Sequence, residues 1–180
     1  MPNILYIGSD NSVLLSGLIN NVDSTYQNDA TVTMSLYEYT NKTYLDKKDI
    51  QDEEGSLGFY ATSHGITVNQ YFYILGSPDY DGEYQAGATT TEDYLVATGT
   101  YSSGTDVSMS GVETVHKAVT GARGLTMTYV ADSDGNYRGT IPDTVQLKDQ
   151  NEYYLIITAT AAGGEVAVFR SKYEANYKDA

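Results

Sequence analysis

Few side chains in this sequence could act as a base near neutral pH or as a soft metal ligand. There is no cysteine, and the only imidazoles are those of His64 and His116. No Gly-x-Ser-x-Gly turn occurs, so the serine hydrolases built on that turn are not indicated. His64 stands in a Ser-His-Gly sequence, where we interpret it as a structural turn residue. His116 stands in the run 112–118, where we interpret it as an exposed strand position. A metal site using both would require them to converge with a carboxylate from separate parts of the chain.

Carboxylates are numerous, with 24 Asp and Glu residues, but none of their patterns is complete. The segment Asp132–Asn136 begins like a calcium loop but has no glutamate at the position where a helix would supply it, so a hairpin turn is the better interpretation. Asp79–Gly82 is likewise interpreted as a turn. Glu92 and Asp93 are adjacent at the start of a strand, where successive side chains point to opposite faces, so they are poorly placed to act as an acid pair. We therefore predict no catalytic residue, metal ligand or cofactor site, and no enzymatic activity.

The formal net charge of −14 bears on the possible partners. Such a field repels DNA and anionic membranes, so we expect neither as a partner. The first residues show no basic region followed by an apolar one, and no run approaches the roughly 18 apolar residues that span a bilayer. Asn41-Lys42-Thr43 matches the glycosylation pattern, but no secretion signal accompanies it.

The elements that position these residues are predicted to be strands. Thr31–Tyr37 alternates, with Val32, Met34 and Leu36 on one face, which indicates a strand with one buried side. Residues 45–55 are rich in charge and offer only Ile50 as an internal apolar position, so we interpret them as a solvated linker. We expect ten to twelve short strands in a sandwich or barrel. The other predicted strands are Ile4–Ile7, Val13–Leu15, Leu125–Val130 paired with Tyr137–Ile141, and Tyr153–Ala161 paired with Glu165–Ser171.

Tyrosine dominates the aromatic residues, with 18 Tyr against 3 Phe and no Trp. Its amphipathic ring suits half-buried strand faces, and it is also enriched in protein interfaces. Tyr153 follows Asp149 by four residues, which is typical of a tyrosine corner. We therefore predict that its hydroxyl bonds to backbone a few residues upstream.

The outer parts of the chain resemble a family of small immunoglobulin-like phage proteins encoded among head and tail genes. The resemblance covers roughly 1–40 and 104–176, about 100 residues. No single motif is diagnostic, and the order and spacing of the segments make the case. The matching segments are Leu5–Gly8, Val13–Leu18, Asn28–Thr33, Leu125–Val130, Ser133–Thr140 and Tyr153–Ala159.

The middle of the chain is similar to a small β-barrel repeat of phage tail and fibre proteins, and to a β domain inserted in ubiquitin-activating enzymes. The matching segments are Ser63–Ile74, Asp79–Tyr84 and Tyr94–Val96. The main departure is Gln70, where the repeat has Asp, which implies a weakened turn contact. Independently of this resemblance, the strand around Phe72 is apolar on both faces, as a tightly closed small barrel requires.

These observations together predict an all-β chain: a split immunoglobulin-like β-sandwich, 1–40 and 104–180, with a small β-barrel, 41–103, inserted after its third strand. The resemblance implies a structural protein of a bacteriophage virion, made in the bacterial host cytoplasm and present in multiple copies per particle. It would bind capsid, portal, neck or tail subunits as a capsid decoration, head–tail joining, neck or tail component. The alternative is receptor or carbohydrate recognition at the virion surface. We expect the end segments, Met1–Ile7 and Lys172–Ala180, to be held in place by neighbouring subunits.

Overall fold

The protein is all-β, as the sequence predicts. A computed structural model describes residues 3–20, 23–53, 55–77, 79–98 and 109–178, and these residues contain strands and no helix. None of the described residues therefore forms a helix that could cross a membrane. The strands are β1 Asn3–Tyr6, β2 Asn11–Leu15, β3 Thr31–Glu38, β4 Thr43–Tyr44, β5 Gln51–Glu53, β6 Ser56–Tyr60, β7 Tyr71–Leu75, β8 Gly82–Gln85, β9 Tyr94–Ala97, β10 Thr114–Lys117, β11 Leu125–Tyr129, β12 Tyr137–Ile141, β13 Glu152–Thr160 and β14 Val166–Asn176.

The strands are distributed over two compact units. The first unit comprises Met1–Leu36 and Val119–Ala180, and the second comprises Tyr37–Ala118. The predicted boundaries, at 40/41 and 103/104, differ from these. β10 was predicted to belong to the sandwich, but it pairs with β4 and β7 and thus lies in the second unit. Residues 104–108 lie outside the described part of the chain.

A seven-stranded sheet forms the first unit, in the order β1-β14-β13-β3-β11-β12-β2. β3 buries Val32, Met34 and Leu36 almost completely and leaves the residues between them more accessible, which confirms the predicted alternation. The predicted β11–β12 and β13–β14 hairpins are also present. The core therefore lies against the inner face of this sheet, as the period of 2 requires.

The sheet must curl, because its two end strands are neighbours in sequence. Laid flat, seven strands would separate β1 from β2 by about 29 Å. The link from Tyr6 to Asn11 spans at most about 17 Å when fully extended. The side chain of Asn11 completes the connection: Oδ1 accepts the N–H of Tyr6 at 2.6 Å, and Nδ2 donates to the Tyr6 carbonyl at 3.0 Å. The sheet is consequently barrel-like and encloses its core.

The turn between β11 and β12 anchors the distant segment that precedes β3. The hydroxyl of Tyr137 donates to the carbonyl of Gln27 at 2.8 Å and accepts the N–H of Ala30 at 3.0 Å. Gly135 donates to Asn28 Oδ1 at 2.9 Å, and its carbonyl accepts the N–H of Leu18 at 2.9 Å. These bonds satisfy backbone groups of a segment that has little strand structure of its own.

Tyr153 makes the hydrogen bond that a tyrosine corner predicts. Its ring is buried in the core of the first unit, and its hydroxyl accepts the backbone N–H of Lys148 at 2.9 Å. The bond fixes the turn before β13, since Lys148 lies five residues upstream.

The second unit contains a four-stranded sheet, β4-β10-β7-β8, and a three-stranded sheet, β5-β6-β9. Hydrogen bonds link the two sheets at two places: Ala86 pairs with Ala97, and the backbone N–H of Asp46 donates to the carbonyl of Tyr60 at 2.8 Å. Phe72 points into its core, while Tyr73, on the opposite face of β7, is buried against Tyr37 at 5.4 Å between ring centroids. The expectation of a strand buried on both faces is confirmed.

The prediction that residues 45–55 form a solvated linker is wrong. Leu45 and Ile50 are buried in the core of the second unit, and β5 pairs with β6. Two apolar residues five positions apart give no periodic pattern, so the sequence did not reveal that irregular backbone carries them both inward.

We expect Gly135→Ala to destabilise the first unit strongly. Gly135 has a φ of +65°, and a Cβ atom there would lie 2.4 Å from the carbonyl oxygen of Leu18. Gly124 has a φ of +64° but open space around the Cβ position, so Gly124→Ala is a control with the same backbone strain and no clash. Urea denaturation should show a loss of about 1–2 kcal/mol for the control and about 2–3 kcal/mol more for Gly135→Ala. Equal losses would contradict the proposed close contact.

Tyr153→Phe tests the hydrogen bond at the corner before β13. The substitution keeps the ring and leaves the N–H of Lys148 without its protein acceptor, so the free energy of unfolding should fall by about 0.5–1.5 kcal/mol. Tyr177→Phe is the matched control, because the Tyr177 side chain is largely exposed. An unchanged urea midpoint for Tyr153→Phe would remove the structural role assigned to the hydroxyl.

Candidate functional site

His64 stabilises the turn in which it lies. Its Nε2–H donates to the carbonyl of Thr91 at 2.7 Å, since a carbonyl can only accept, and its Nδ1 then accepts the N–H of Ile66 at 3.0 Å. Burial lowers the pKa of His64 below its usual value, although the hydrogen bond to Thr91 and the nearby carboxylates of Asp93 and Glu92 act in the opposite direction. The neutral ring thus serves as a fixed backbone connector, in agreement with its interpretation as a turn residue.

Ser63, His64 and Asp93 lie close together but do not form a catalytic triad. Asp93 uses Oδ1 to accept the backbone N–H of Ser63 at 2.8 Å. Both nitrogens of His64 are engaged with backbone groups, so the ring has no lone pair available to take a proton from the Ser63 hydroxyl. The arrangement connects the turn before Ile66 to the segment before β9, and it offers no activated nucleophile.

The interpretation of His116 as an exposed strand position is wrong. The residue is only 1% exposed. Its Nδ1–H donates to the carbonyl of Glu38 at 3.0 Å, and the hydroxyl of Thr114 donates to its Nε2 at 2.8 Å. Tyr39 stacks on the ring with 5.8 Å between centroids. Burial lowers the pKa of His116, and the charge of Lys42 lowers it further, while the bond to Glu38 opposes both.

The carboxylates considered for metal binding lie at turns. Asp81 accepts the N–H of Ser77 at 2.7 Å, and Asp132 has the positive φ of a hairpin turn at 56°. Among the described residues, no group of three His, Cys, Asp or Glu side chains is arranged to hold a metal ion. Gln70, the residue that departs from the barrel repeat, still makes a turn contact, because its Oε1 accepts the N–H of Thr67 at 3.0 Å.

Glu113 is a buried acid that no sequence motif marks as a candidate. Burial alone would raise the pKa of Glu113, but the hydrogen bonds it accepts from Ser110 and Gly111 together outweigh burial and lower the pKa. The carboxylate is thus held ionised by a turn at the start of β10. The carboxylate accepts the hydroxyl and N–H of Ser110 and the N–H of Gly111, so it closes the turn before β10.

A shallow depression of about 610 Å³ lies in the first unit beside the first and last strands. We call it the terminal surface. It combines exposed apolar and aromatic side chains with polar ones at its rim, and Tyr177 is 66% exposed. Its residues are Ile4, Tyr6, Asp149, Asn176, Tyr177 and Lys178.

The backbone beneath the terminal surface is held by the chain itself. β1 runs parallel to the end of β14, with Leu5 opposite Ala175 and both side chains buried in the core. The N–H of Ile7 donates to the carbonyl of Asn176 at 3.0 Å. The expectation that both end segments depend on neighbours is therefore wrong for residues 3–7 and 172–176. Residues 1, 2, 179 and 180 lie outside the described part of the chain.

The geometry of the terminal surface suits binding by contact. Its backbone is fixed by strand pairing, so association would order few additional groups. Tyrosine side chains supply large contact area with a polar tip. The chain matches no protein-family model, and no curated protein or solved structure matches it significantly.

We expect the folded chain to lose stability as the pH falls through about 6.5, the unperturbed value for histidine. His64 and His116 have lowered pKa values in the folded chain, so the unfolded chain binds more protons in this range. Stability is thus full above the unfolded pKa and declines below it until the folded pKa values are reached. The buried His116 can contribute at most about 1.4 kcal/mol per pH unit.

Urea midpoints at about pH 7.5, 6.5 and 5.5 measure this dependence. His116→Gln cannot titrate, so its midpoint should fall less over the same range, whatever its stability at the highest pH. The ionised Glu113 does not confound the test, because its lowered pKa places its effect at more acidic pH. A slope unchanged by His116→Gln would contradict the buried, neutral imidazole.

Proposed function

We propose that this chain is a non-enzymatic structural subunit of a bacteriophage particle that binds other assembly proteins. In this proposal the first unit is an immunoglobulin-like sandwich, and the second is a small barrel inserted after the third strand. Support comes from the position of the second unit directly after β3, from the hydrogen bond between Tyr153 and Lys148, and from the turn contacts of His64 and Gln70.

The observation that carries the proposal is the terminal surface. Monomeric soluble proteins rarely leave large apolar side chains together at one place unless the surface is used. Ile4 and Tyr6 lie on the same face of β1, because residues two apart on a strand point the same way, and both are exposed. Tyr177 follows directly after the strand that pairs with β1. A rigid aromatic patch of this kind is what an assembly contact uses as its centre.

The charge of the chain indicates the character of the partner. A net charge of −14 disfavours contact between copies of this chain and favours a surface with positive potential. The catalytic alternatives have no comparable support, because His64, His116, Asp81 and Asp93 each form a hydrogen bond with a backbone group.

The proposal is tested on particles of the phage that carries the gene. Antibody labelling in the electron microscope should place the chain on the head, neck or tail. In a phage with the Tyr6→Ser and Tyr177→Ser substitutions, incorporation into particles should fall at least about tenfold, because two aromatic contacts are lost.

Tyr44→Ser is the matched control, since Tyr44 is an equally exposed tyrosine that lies in the second unit. Incorporation of this variant should match the unaltered protein, and both variant proteins should keep the urea midpoint of the parent. Purified particles that carry no label would contradict the structural role. Labelled particles with unaltered incorporation of the double variant would contradict the terminal surface as the contact.

Carbohydrate recognition is the second candidate, and the composition of the same depression favours it. Tyr6 and Tyr177 could stack on sugar rings, while Asp149 and Asn176 lie in the same depression with oxygen and amide groups suited to hydroxyls. Binding of the purified chain on a glycan array, lost in Tyr177→Ser and retained in Tyr44→Ser, would favour this function over assembly.

A further inference from the structure

β14 is longer than the strand that covers its outer edge. On one side it pairs with β13 from Val166 to Glu174, and on the other it pairs with β1 only from Tyr173 to Asn176. Among the described residues, no strand pairs with the outer edge between Val166 and Ser171. The stretch Val166–Phe169 therefore offers an open strand edge in the row that β1 occupies further along.

The orientation of the open backbone groups follows from the bonds at the two ends. The carbonyl of Glu165 accepts a hydrogen bond from the N–H of Ala161, so the N–H and C=O groups of odd-numbered residues in β14 point towards β13. The carbonyl of Asn176 accepts a hydrogen bond from the N–H of Ile7, so the N–H and C=O groups of even-numbered residues point to the side of β14 on which β1 lies. Backbone groups alternate along a strand, and Val166 and Val168 consequently direct their N–H and C=O groups outward.

The side chains of this edge are unusually apolar. Val166 is 61% and Val168 48% exposed, and Phe169, on the opposite face, is also exposed. Edge strands are ordinarily protected by lysine, proline, a bulge or a covering segment. Within Val166–Phe169 the sequence supplies no charge and no proline. An apolar strand with open hydrogen-bonding groups is suited to accept another strand.

A small apolar pocket of about 200 Å³ lies beside the open edge. Ala159 and Ala167 pair across β13 and β14 and contribute only methyl groups, so space remains between them and their neighbours. Ile19 and Val166 also line the pocket. Glu165 lies at the same pocket and brings a carboxylate to it. The volume accommodates one large apolar side chain, and the carboxylate favours a basic residue next to that side chain.

We propose that the outer edge of Val166–Phe169 is an acceptor for an extended segment of a partner protein, added to the sheet as a further strand. The segment has alternating apolar residues, places one of them in the pocket and carries lysine or arginine at its flanks. β1 shows how a strand docks on this same edge, since it pairs with β14 in parallel and buries Leu5 as an anchor. The inference does not depend on the terminal surface or on a role in a virion.

Charge distinguishes a partner segment from a second copy of the chain. Two copies could pair their β14 edges, but each carries a net charge of −14, which opposes their approach. A basic segment meets attraction at the same place. The acceptor edge therefore fits a foreign strand better than its own copy.

Binding of a synthetic peptide to the full chain tests the acceptor edge. The probe is a labelled peptide of alternating valine and threonine with a central leucine and two lysines at each end, and fluorescence anisotropy measures its affinity. A peptide with glutamates in place of the lysines should bind at least about tenfold more weakly. On binding, hydrogen exchange at the amides of Val166 and Val168 should slow, while exchange at residue 5 in β1 should not change.

Val168→Pro removes an N–H that faces outward and leaves the bonds to β13 in place, so the fold should survive. This variant should lose at least about tenfold in affinity for the basic peptide. Val168→Thr keeps the backbone donor and should stay within about threefold of the unaltered protein. Circular dichroism and the urea midpoint establish that both variants are folded.

Three results would overturn the inference: no binding of the basic peptide, equal binding by Val168→Pro, or tighter binding of the acidic peptide. A dimer seen by analytical ultracentrifugation and abolished by Val168→Pro would show that a second copy occupies the edge, and would also overturn it. The peptide probe contains no virion component. A negative result with it would therefore count against the acceptor edge and not against the proposed role in a phage particle.

Discussion

The side-chain amide of Asn11 takes the place of a neighbouring strand beside Tyr6, satisfying both backbone groups of that residue and also bonding to the carbonyl of Ser9 at 2.8 Å. These bonds hold together two strands that stand at opposite ends of the order in the seven-stranded sheet. Because β1 and β2 are held together, the sheet curls, and its inner face meets itself around one core. β1 is held on β14 by their parallel pairing and by the bond from the N–H of Ile7 to the carbonyl of Asn176. Because β1 is short, it covers only the end of β14, where the terminal surface lies, and leaves the outer edge of Val166–Phe169 without a neighbouring strand among the described residues.

Local patterns in the sequence sufficed to predict the strands whose partners are close in sequence. The alternation of Val32, Met34 and Leu36 and the turn at Asp132–Asn136 depend on neighbouring residues, and both were predicted correctly. The core positions of Leu45 and Ile50 were not predictable in this way, because they lie outside any regular period and are buried by strands far along the chain. The same limit applies to the unit boundary, since the sequence does not show that β10 pairs with β4 and β7.

The hydrogen-bond partners of polar residues were likewise predictable only where they lie nearby in sequence. The hydroxyl of Tyr153 bonds five residues upstream, so its partner could be predicted from the local pattern. The hydroxyl of Tyr137 bonds to Gln27, 110 residues away, and the burial of His116 depends on the carbonyl of Glu38, 78 residues away. Nothing near either residue in sequence signals those contacts. The terminal surface was only partly predictable: the chain ends were singled out, but the parallel pairing that fixes them was not.

The open strand edge favours association between copies of this chain, and the net charge opposes it. An apolar edge such as Val166–Phe169 would ordinarily promote pairing between identical chains, because each copy offers the same open backbone groups. The net charge of −14 opposes that pairing at long range, since like charges repel before the edges meet. The repulsion acts on copies of this chain and not on a basic or neutral strand. A chain with a large net negative charge and an apolar open edge therefore selects between partners by charge before strand pairing begins. The choice of partner is thus separate from the strength of the contact.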